Sequence, residues 1–346
     1  SDVCSSDLYG FSFVAHYLSD GLLNDIEIVA RRENADSFVR SKIINMYNDR
    51  IYIYGCFRKG LILGWGGKDM TLSAPDSSNM FLSAFDLDRE LLFAMSWGGS
   101  LSDSVGYDLC IIDDRGLFAS GHFGNNLNIT DINNNNIFFR KRDSYKDGFI
   151  AHFNFEGGLE WVTQLNEAGI SLSCSPNGHI YAAGYISDTA TFGEGERETI
   201  LHSQGQSAYL ARYSSGGELE WVKAMDSLDA IAMDVITLPD GGSAVTGFFR
   251  EPLLLGAGEE GEVTLVPTEG ASLFLARFTE QGHLVWASQG RGQDGTVLGY
   301  HLARTVENQL LVGGVFSRDG IFGTGAHEIV MTMGGDWGAF VASYWP

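Results

Sequence analysis

The sequence is poor in proline, cysteine and basic residues, and each shortage narrows the class of protein. Its 346 residues include 6 prolines, 4 cysteines and 22 basic residues against 44 acidic ones. Four cysteines without a C-x-x-C pair are too few for a disulfide scaffold. Cys56, Cys110 and Cys174 lie in apolar runs and are predicted to be small buried hydrophobic residues. No apolar run approaches the roughly 20 residues of a membrane helix, and the N-terminus shows no signal peptide.

The net charge of −22 limits the partners that we expect. A surface this acidic repels phosphate backbones and anionic membranes, so we predict no nucleic-acid binding and no membrane insertion. Solubility is the simplest role for the charge, and attraction of a cation or a basic partner is the alternative. With 44% hydrophobic and 19% charged residues, the chain is apolar enough to fold.

The first eight residues, Ser1–Leu8, resemble the translation of a sequencing adapter fused to an incomplete gene. A genuine polar N-terminus is the alternative interpretation. If the segment is an artefact, Cys4 is not native, and the true start, with any export signal, is missing. Residues 1–8 are therefore left out of the fold prediction.

Glycine is abundant, with 44 residues, and an internal repeat of about 65 residues runs through the chain. Aromatic phrases of the type Phe-x-Ala-x-Tyr return at spacings of 68, 68, 60, 65 and 66 residues. In three copies a tryptophan, and in a fourth Phe93, stands twelve residues after the first aromatic, and the turn residues between them predict a β-hairpin. The phrases begin at Phe13, Phe81, Phe149, Tyr209, Phe274 and Phe340, and the tryptophans are Trp161, Trp221 and Trp286.

A second hairpin recurs in phase with the first. Its second strand carries a glycine, and the Asn, Asp, Pro and Gly residues before that strand predict tight turns. A Gly-x-Gly segment follows in most repeats, as at Leu255–Gly258, whereas the second repeat has an Asn-rich stretch, Asn125–Asn136, that we predict to be a solvated loop. The strand glycines are Gly55, Gly121, Gly184, Gly247 and Gly314.

Four strands per repeat, joined by a glycine-rich connector and uninterrupted by a helical period, predict an all-β fold of four-stranded blades, a β-propeller. We name the strands of a blade A to D, so that the glycine hairpin is A and B and the aromatic hairpin is C and D. We expect a single domain over residues 9–346, with blades at 36–97, 103–165, 168–225, 229–289 and 297–346 and a partial blade or closure hairpin at 9–30.

The last repeat stops on a C strand, so a D strand from the N-terminal side is expected to complete it, and residues 22–30 are one candidate. The blades present are then most of a ring of six or seven, with its N-terminal part missing.

These features resemble the bacterial SBBP (seven-bladed β-propeller) repeat family. The order of Asp147–Ala151, Trp161, Asn177–Gly184 and Phe192 followed by glycine is similar to the successive phrases of that family. The resemblance covers about residues 11–346 and is stronger in the last three repeats than in the first two. It implies a bacterial protein of poorly defined function that is exported to the periplasm, the cell surface or the medium.

Signatures of catalysis and metal binding are missing from the sequence. There is no HExxH, GxSxG, Walker or EF-hand motif, and no pair of histidines at metal-ligand spacing. Ala211–Trp221 has the alanine-to-tryptophan spacing of quinoprotein dehydrogenase propellers, but Tyr213 and Gly216 depart from that repeat. We therefore predict no cofactor, no metal and no enzymatic activity. The tryptophans are interpreted as core wedges, and His16 and His152 as hydrogen-bonded residues between blades.

One polar position recurs thirteen residues before each strand-B glycine, and an apolar residue follows it in every repeat. Equivalent positions in a propeller form a ring, and strand A lines its channel, so these residues are a candidate ligand-binding site at the channel mouth. Hydrogen bonding between blades is the structural alternative, and cation binding or acid–base chemistry is a further one. The five residues are Lys42, Asp108, Ser171, Asp234 and His301.

The expected function is therefore that of a non-enzymatic exported scaffold that presents loops to a protein or glycan ligand. A glycan hydrolase or lyase that uses acids at the channel mouth is one alternative. A structural module of a larger surface protein is the other.

Overall fold

A computed structural model describes residues 3–4, 11–17, 23–33, 38–64, 69–99, 104–142, 146–165, 171–323, 328–333 and 335–345. These residues lie mostly in antiparallel strands, and the helical structure among them is one 3-10 turn, Gly195–Arg197. No helix in the described ranges is long and apolar enough to span a membrane. The all-β prediction is confirmed.

The chain divides into two compact units, Ser1–Asn166 and Glu167–Pro346. The expectation of a single domain over residues 9–346 stays a prediction. Each unit is built from sheets in which strands A, B, C and D pair in sequence order, and we number these sheets 1 to 5 along the chain.

The first unit contains an N-terminal hairpin and sheets 1 and 2. Sheet 1 consists of β4, β5, β6 and β7, and sheet 2 of β8, β9, β12 and β13. Strand β3, in the segment considered as a closure strand, pairs with β2 and β5. The bounds are β1 Val3–Cys4, β2 Phe11–Tyr17, β3 Leu23–Arg32, β4 Phe38–Tyr47, β5 Arg50–Leu63, β6 Met70–Asp86, β7 Leu91–Trp97, β8 Val105–Ile112, β9 Gly116–Phe123, β10 Asn126–Thr130, β11 Asn136–Arg140, β12 Asp147–Phe153 and β13 Leu159–Leu165.

The second unit contains sheets 3 to 5. Sheet 3 consists of β14 to β17, sheet 4 of β18, β19, β22 and β23, and sheet 5 of β24, β25 and β28, which are strands A, B and C. The bounds are β14 Ser171–Cys174, β15 His179–Phe192, β16 Thr199–Ser214, β17 Leu219–Met225, β18 Ala230–Thr237, β19 Ser243–Phe249, β20 Leu253–Leu255, β21 Val263–Leu265, β22 Ser272–Phe278, β23 Leu284–Arg291, β24 Val297–Arg304, β25 Leu310–Phe316, β26 Asp319–Phe322, β27 Ile329–Thr332 and β28 Gly338–Tyr344. The predicted four-stranded blade is confirmed by this pairing, and the number of blades in a ring stays a prediction.

Sheets within a unit pack face to face through the apolar residues of their B and C strands. In the second unit, Leu273 and Leu275 of sheet 4 form one buried cluster with Val297 and Leu302 of strand A in sheet 5. Within each unit, strand A of the following sheet thus covers the B and C strands of the sheet before it. Because each blade buries one face only against a neighbour, hydrophobic stabilisation is spread along the chain rather than held in one centre.

The connectors between strands B and C are β-hairpins in their own right. The Asn-rich stretch forms β10 and β11, with Leu127 and Ile129 fully buried, so the prediction of a solvated loop there is wrong. Its turn is organised by the buried Asp131, which accepts hydrogen bonds from the backbone N–H groups of Asn133, Asn135 and Leu159. The prediction failed because it was based on the number of asparagines, which does not reveal a short polar turn between strands with buried apolar residues.

These connector hairpins also join successive sheets. Gly98, after strand D of sheet 1, bridges to Asn128 of the next connector, and Asp226, after strand D of sheet 3, bridges to Leu254. Strand β23 of sheet 4 pairs with β26 in the same way. The outer edges of these three sheets are therefore partly covered by the following repeat.

Candidate functional site

A β-bulge recurs in strand A next to the candidate polar position. The pairing between strands A and B shifts between Gly106 and Asp108, between Ala232 and Asp234, and between Gly299 and His301. One residue is left unpaired in each bulge: Tyr107, Met233 and Tyr300. A bulge bends its strand and re-aims the side chains around it, so this device fixes where the neighbouring polar residue points.

The strand-B glycine is required by the bulge. A Cβ atom at Gly247 would collide with the carbonyl oxygen of Ile231 in the bulged strand and lie 2.9 Å from the ring of Phe274. Gly314 has the same surroundings, with Leu298 in place of Ile231 and Phe340 in place of Phe274. The repeated glycine, the repeated aromatic of strand C and the repeated polar residue of strand A are therefore parts of one local structure.

Asp234 is the centre of the site in the second unit, and its carboxylate is held by donors from three sheets. Oδ1 accepts from the Ser171 hydroxyl at 2.8 Å and from the Val235 N–H at 2.9 Å. Oδ2 accepts from the Leu302 N–H at 2.7 Å. The side chain is 17% exposed. Asp234 thus joins the first strands of sheets 3, 4 and 5.

Burial controls the acidity of this group. Burial raises the pKa of the Asp234 carboxyl above its ordinary value, and the hydrogen bonds from Leu302, Ser171 and Val235 offset only part of the effect. A carboxyl with three donors already in place has little capacity left for a ligand. Its geometry suits a structural anchor more than an acid that meets a substrate.

His301 is different, because it faces solvent. Its side chain is 87% exposed, and its Nδ1 lies 3.8 Å from Asp234 Oδ2, outside hydrogen-bond range. The structure thus brings Ser171, Asp234 and His301 together. The Ser171 and Asp234 side chains are hydrogen-bonded to each other, and the His301 side chain is exposed to solvent.

The first unit holds the other two candidate residues. Asp108 repeats the local geometry of Asp234, because its Oδ1 accepts the N–H of the next residue, Leu109, at 2.8 Å. The Tyr54 hydroxyl donates to the Ser120 carbonyl at 2.8 Å. Burial raises the pKa of that hydroxyl well above its ordinary value, with smaller contributions from Cys56 and from the charge of Asp108.

Lys42 stands one position out of register with the other candidates. Ser41 pairs with Gly55 and Ile43 with Tyr54, so Lys42 is itself the bulge residue, equivalent to Met233 rather than to Asp234. Its side chain lies outside the described part of the molecule.

Sequence reasoning missed a second set of hydrogen bonds between the first strands of sheets 3 and 4. The Thr237 N–H donates to the Ser173 hydroxyl at 2.9 Å, and the Thr237 hydroxyl donates to the Cys174 carbonyl at 3.2 Å. These residues lie two and three positions beyond the candidate residues of their strands. The two hydroxyl residues stand 11 and 10 positions before their strand-B glycines, so counting from the glycine does not reveal the pair.

The cysteines correct another prediction. Cys110 and Cys174 are both disulfide-bonded, whereas Cys56 is buried and forms no disulfide. The interpretation as a small buried hydrophobic residue holds for Cys56 and is wrong for the other two. An isolated cysteine without a second cysteine at motif spacing gives no sign of its disulfide state in one sequence.

The aromatic residues at the tryptophan position act at contacts between sheets. Trp221 packs about 3.1 Å from the place a Cβ would take at Gly282, in the C–D turn of the next sheet, and its Nε1 donates to the Glu280 carbonyl at 3.2 Å. Phe93 meets Gly157 in the same manner. His152 makes its contacts within sheet 2 instead, because its ring stacks on Phe118 with centroids 4.4 Å apart and its Nε2 lies 3.0 Å from the Arg115 carbonyl oxygen. The predicted hydrogen bond is present, but it lies within one blade rather than between blades. The side chain of His16 falls outside the described residues.

Within the described ranges, no group of three or more His, Cys, Asp or Glu side chains is placed to hold a metal ion. No protein-family model and no curated protein matches the sequence. Among solved structures, the chain is similar to the crystal structure of the WD40 domain of SCAP from fission yeast, at 8% identity over 89% of this chain and 88% of that one, with a TM-score of 0.29. The fold assignment therefore rests on the strand pairing.

Proposed function

We propose that this chain is a non-enzymatic binding scaffold and that it contacts a polypeptide partner at the bulges of its A strands. The proposal depends on the contrast between a side chain that is fixed by hydrogen bonds and its neighbours, which are accessible to a partner. Asp234 is locked by three donors, while Met233 and His301 beside it are exposed and Tyr300 is half-buried. We call Met233, Tyr300 and His301 the bulge surface.

The bulge surface lies on a cluster of buried apolar residues. Tyr300 packs with Ile231 and Val315 on a buried cluster that includes Phe248 and Leu298. This packing fixes the Tyr300 side chain before a partner binds, which reduces the conformational entropy lost on binding. Aromatic residues and methionine, the residue types of Tyr300 and Met233, are enriched in protein interfaces.

Charge favours a basic polypeptide over a glycan. The molecule has a net charge of −22, which steers cationic partners toward it and repels anionic ones. Neutral glycans gain nothing from this field and are recognised instead by open aromatic platforms, whereas the Tyr300 ring is half-buried. A glycan ligand is therefore an outcome of the test below rather than the proposal.

An exported location is part of the proposal. Disulfides persist in oxidising compartments such as the periplasm and the cell exterior and are rare in the cytosol. The disulfide state of Cys110 and Cys174 supports such a location, in line with the resemblance to exported bacterial SBBP-type repeat proteins.

The test is selection of ligands with a matched variant. A random peptide library is selected on the wild-type protein and on the triple variant Met233→Ser, Tyr300→Ser, His301→Ala. We expect peptides rich in Lys and Arg that bind the wild type and not the variant. A control variant, Val306→Ser, changes a fully exposed turn residue elsewhere and should bind the same peptides as the wild type.

Two results contradict the proposal. One is an identical set of peptides on the wild type and on the triple variant, which would place binding elsewhere. The other is a glycan, found by array screening, that binds the wild type and loses affinity in the triple variant, which would assign the surface to sugar recognition.

A further inference from the structure

A cluster of four charged or titratable side chains lies at the junction between sheets 3 and 4. Arg212, on strand C of sheet 3, donates from Nε to Glu220 Oε2 at 2.5 Å. Its Nη1 lies 3.3 Å from Oε1 of Glu280, in the C–D turn of sheet 4, and donates to the Glu280 carbonyl oxygen at 2.7 Å. His179, the first residue of strand B, completes this junction cluster. One arginine thus faces two carboxylates, and the charge of His179 decides whether the cluster is balanced.

Each ring nitrogen of His179 faces a different carboxylate. Nδ1 lies 3.0 Å from Glu220 Oε2, and Nε2 lies 3.9 Å from Glu280 Oε1. Nδ1 is buried and makes no hydrogen bond. A neutral imidazole carries a single N–H, so one of its nitrogens turns a lone pair toward a carboxylate oxygen. Protonation places an N–H on both nitrogens and makes both contacts attractive.

The surroundings of the junction cluster leave this balance to His179. Its four side chains are between 13% and 34% exposed, so their charges are screened less than those of an open surface. Burial raises the pKa of the nearby Tyr181 hydroxyl above its ordinary value, and the group therefore stays neutral while histidine titrates. Asp240, in the A–B turn of sheet 4, is already paired with Arg277 at 2.6 Å.

The matching junction in the first unit holds a permanent charge at this position. Arg50 stands five residues before the strand-B glycine of sheet 1, as His179 does in sheet 3. It donates to the Phe155 carbonyl oxygen at 3.0 Å and lies 3.5 Å from Glu156 Oε1, both in the C–D turn of sheet 2. Sheet 1 thus contacts the turn of the next sheet with a group that is always charged. Sheet 3 uses one whose charge changes between about pH 5 and 8.

We propose that His179 is a pH-sensitive contact, which holds the C–D turn of sheet 4 against sheet 3 when it is protonated and loosens that turn when it is neutral. The charged imidazole meets Glu220 and Glu280 together only in the folded chain. Its contribution is therefore present in mild acid and is lost as the pH rises past the range in which histidine releases its proton. The proposal is independent of the bulge surface and of any ligand bound there.

The test is amide hydrogen exchange of the whole protein at pH 5.5 and pH 8, with each rate divided by the rate of the unfolded chain at the same pH. The N–H groups of Thr279 and Gly282 are hydrogen-bonded within the C–D turn of sheet 4 and report on its opening. We expect their protection to be about threefold or more greater at pH 5.5 than at pH 8.

Variants that fix the charge at position 179 complete the design. His179→Gln should abolish the pH response and keep the low protection of pH 8, whereas His179→Arg should abolish it and keep the high protection. If either variant fails to fold, Glu280→Gln tests the same contact with the histidine in place and should reduce the response. His202→Gln is the matched control, because His202 is exposed in the same sheet, and it should leave the response unchanged.

Three outcomes overturn the inference. They are equal protection of the wild-type turn at the two pH values, a pH response in His179→Gln as large as that of the wild type, and loss of the response in His202→Gln. The last result would assign the effect to another histidine.

Discussion

The Ser171 hydroxyl donates to Asp234 Oδ1 across 2.8 Å, joining the first strands of two successive sheets in the second unit. Replacing Asp234 with alanine would remove this bond and the acceptor of the Leu302 N–H, and it would leave the Val235 N–H with only its longer contact of 3.4 Å to the Ser171 hydroxyl. Each buried donor left unsatisfied costs about 1–3 kcal/mol, so we expect a loss of about 2–5 kcal/mol in unfolding free energy. Urea denaturation followed by fluorescence measures it.

Asp294→Ala is the matched control, because Asp294 is exposed, and it should change stability by less than about 0.5 kcal/mol. The double variant with Ser171→Ala should cost less than the sum of the single changes, since both remove the same bond. A fully additive pair would show that the hydroxyl and the carboxylate do not cooperate.

Neighbouring glycines of strand β25 should respond in opposite ways to the same substitution. A Cβ at Gly314 would collide with the Leu298 carbonyl and lie 2.7 Å from the Phe340 ring, whereas a Cβ at Gly313 meets nothing within 4 Å. We expect Gly314→Ala to destabilise the protein by about 2–3 kcal/mol through overpacking. Gly313→Ala should be neutral or gain up to about 0.5 kcal/mol. Equal thermal midpoints for the two variants would refute the bulge argument.

Asp131 should give the protein a specific acid sensitivity. Burial opposes its ionisation, but the hydrogen bonds from Leu159, Asn135 and Asn133 outweigh that effect and lower its pKa below the ordinary value of 3.8. A lowered pKa contributes stability that is present above pH 3.8 and lost as the pH falls through the folded-state value. Asp131→Asn should therefore be less stable than the wild type at pH 6, and the gap should close in stronger acid.

The measurement for this prediction is the unfolding free energy as a function of pH. Asp113→Asn, at an exposed turn of the same sheet, should follow the wild-type curve. A gap between wild type and Asp131→Asn that stays constant down to pH 2 would mean that the loss is steric rather than electrostatic.

Reduction should weaken the fold, because Cys110 and Cys174 are disulfide-bonded. Removing a native disulfide costs about 2–5 kcal/mol in small domains, so a reducing agent should lower the thermal midpoint clearly. Native alkylation followed by mass spectrometry should leave both residues unmodified until reduction. Cys56→Ala is the control, and its protein should keep the response to the reducing agent.

Much of the fold is readable in the sequence because its signals are local. Turn residues such as Asn48 and Asp49, with φ of 47° and 58°, and the alternating aromatics of strand C lie within a few residues of the structure they specify. The A-to-D order follows from their repetition. The connectors were misjudged because strands of three to five residues, such as Leu253–Leu255, are too short to show a period.

The candidate site was predicted in part. Counting back from the strand-B glycine identifies Asp234 and Ser171, whose side chains are hydrogen-bonded to each other. A fixed count fails where the number of residues between the bulge and the glycine changes. For this reason it selects Lys42, which is the bulge residue rather than the residue after the bulge. The displayed residues Met233 and Tyr300 share no residue type and were missed. The disulfide state depends on tertiary proximity, of which a single sequence carries no trace.

The overlap between each connector hairpin and the preceding sheet has a consequence for how such a protein can be lengthened or shortened. Because β26 pairs with β23 and Leu254 bridges to Asp226, a cut made between two sheets divides a hydrogen-bonded pair. A cut between strands B and C is no better, because those strands pair along their length, as β19 does with β22. A repeat exchanged at the loop between strands D and A therefore brings its own connector to the sheet before it. Recombination of these repeats, by design or in nature, should succeed where the incoming connector can pair with the D strand that it meets.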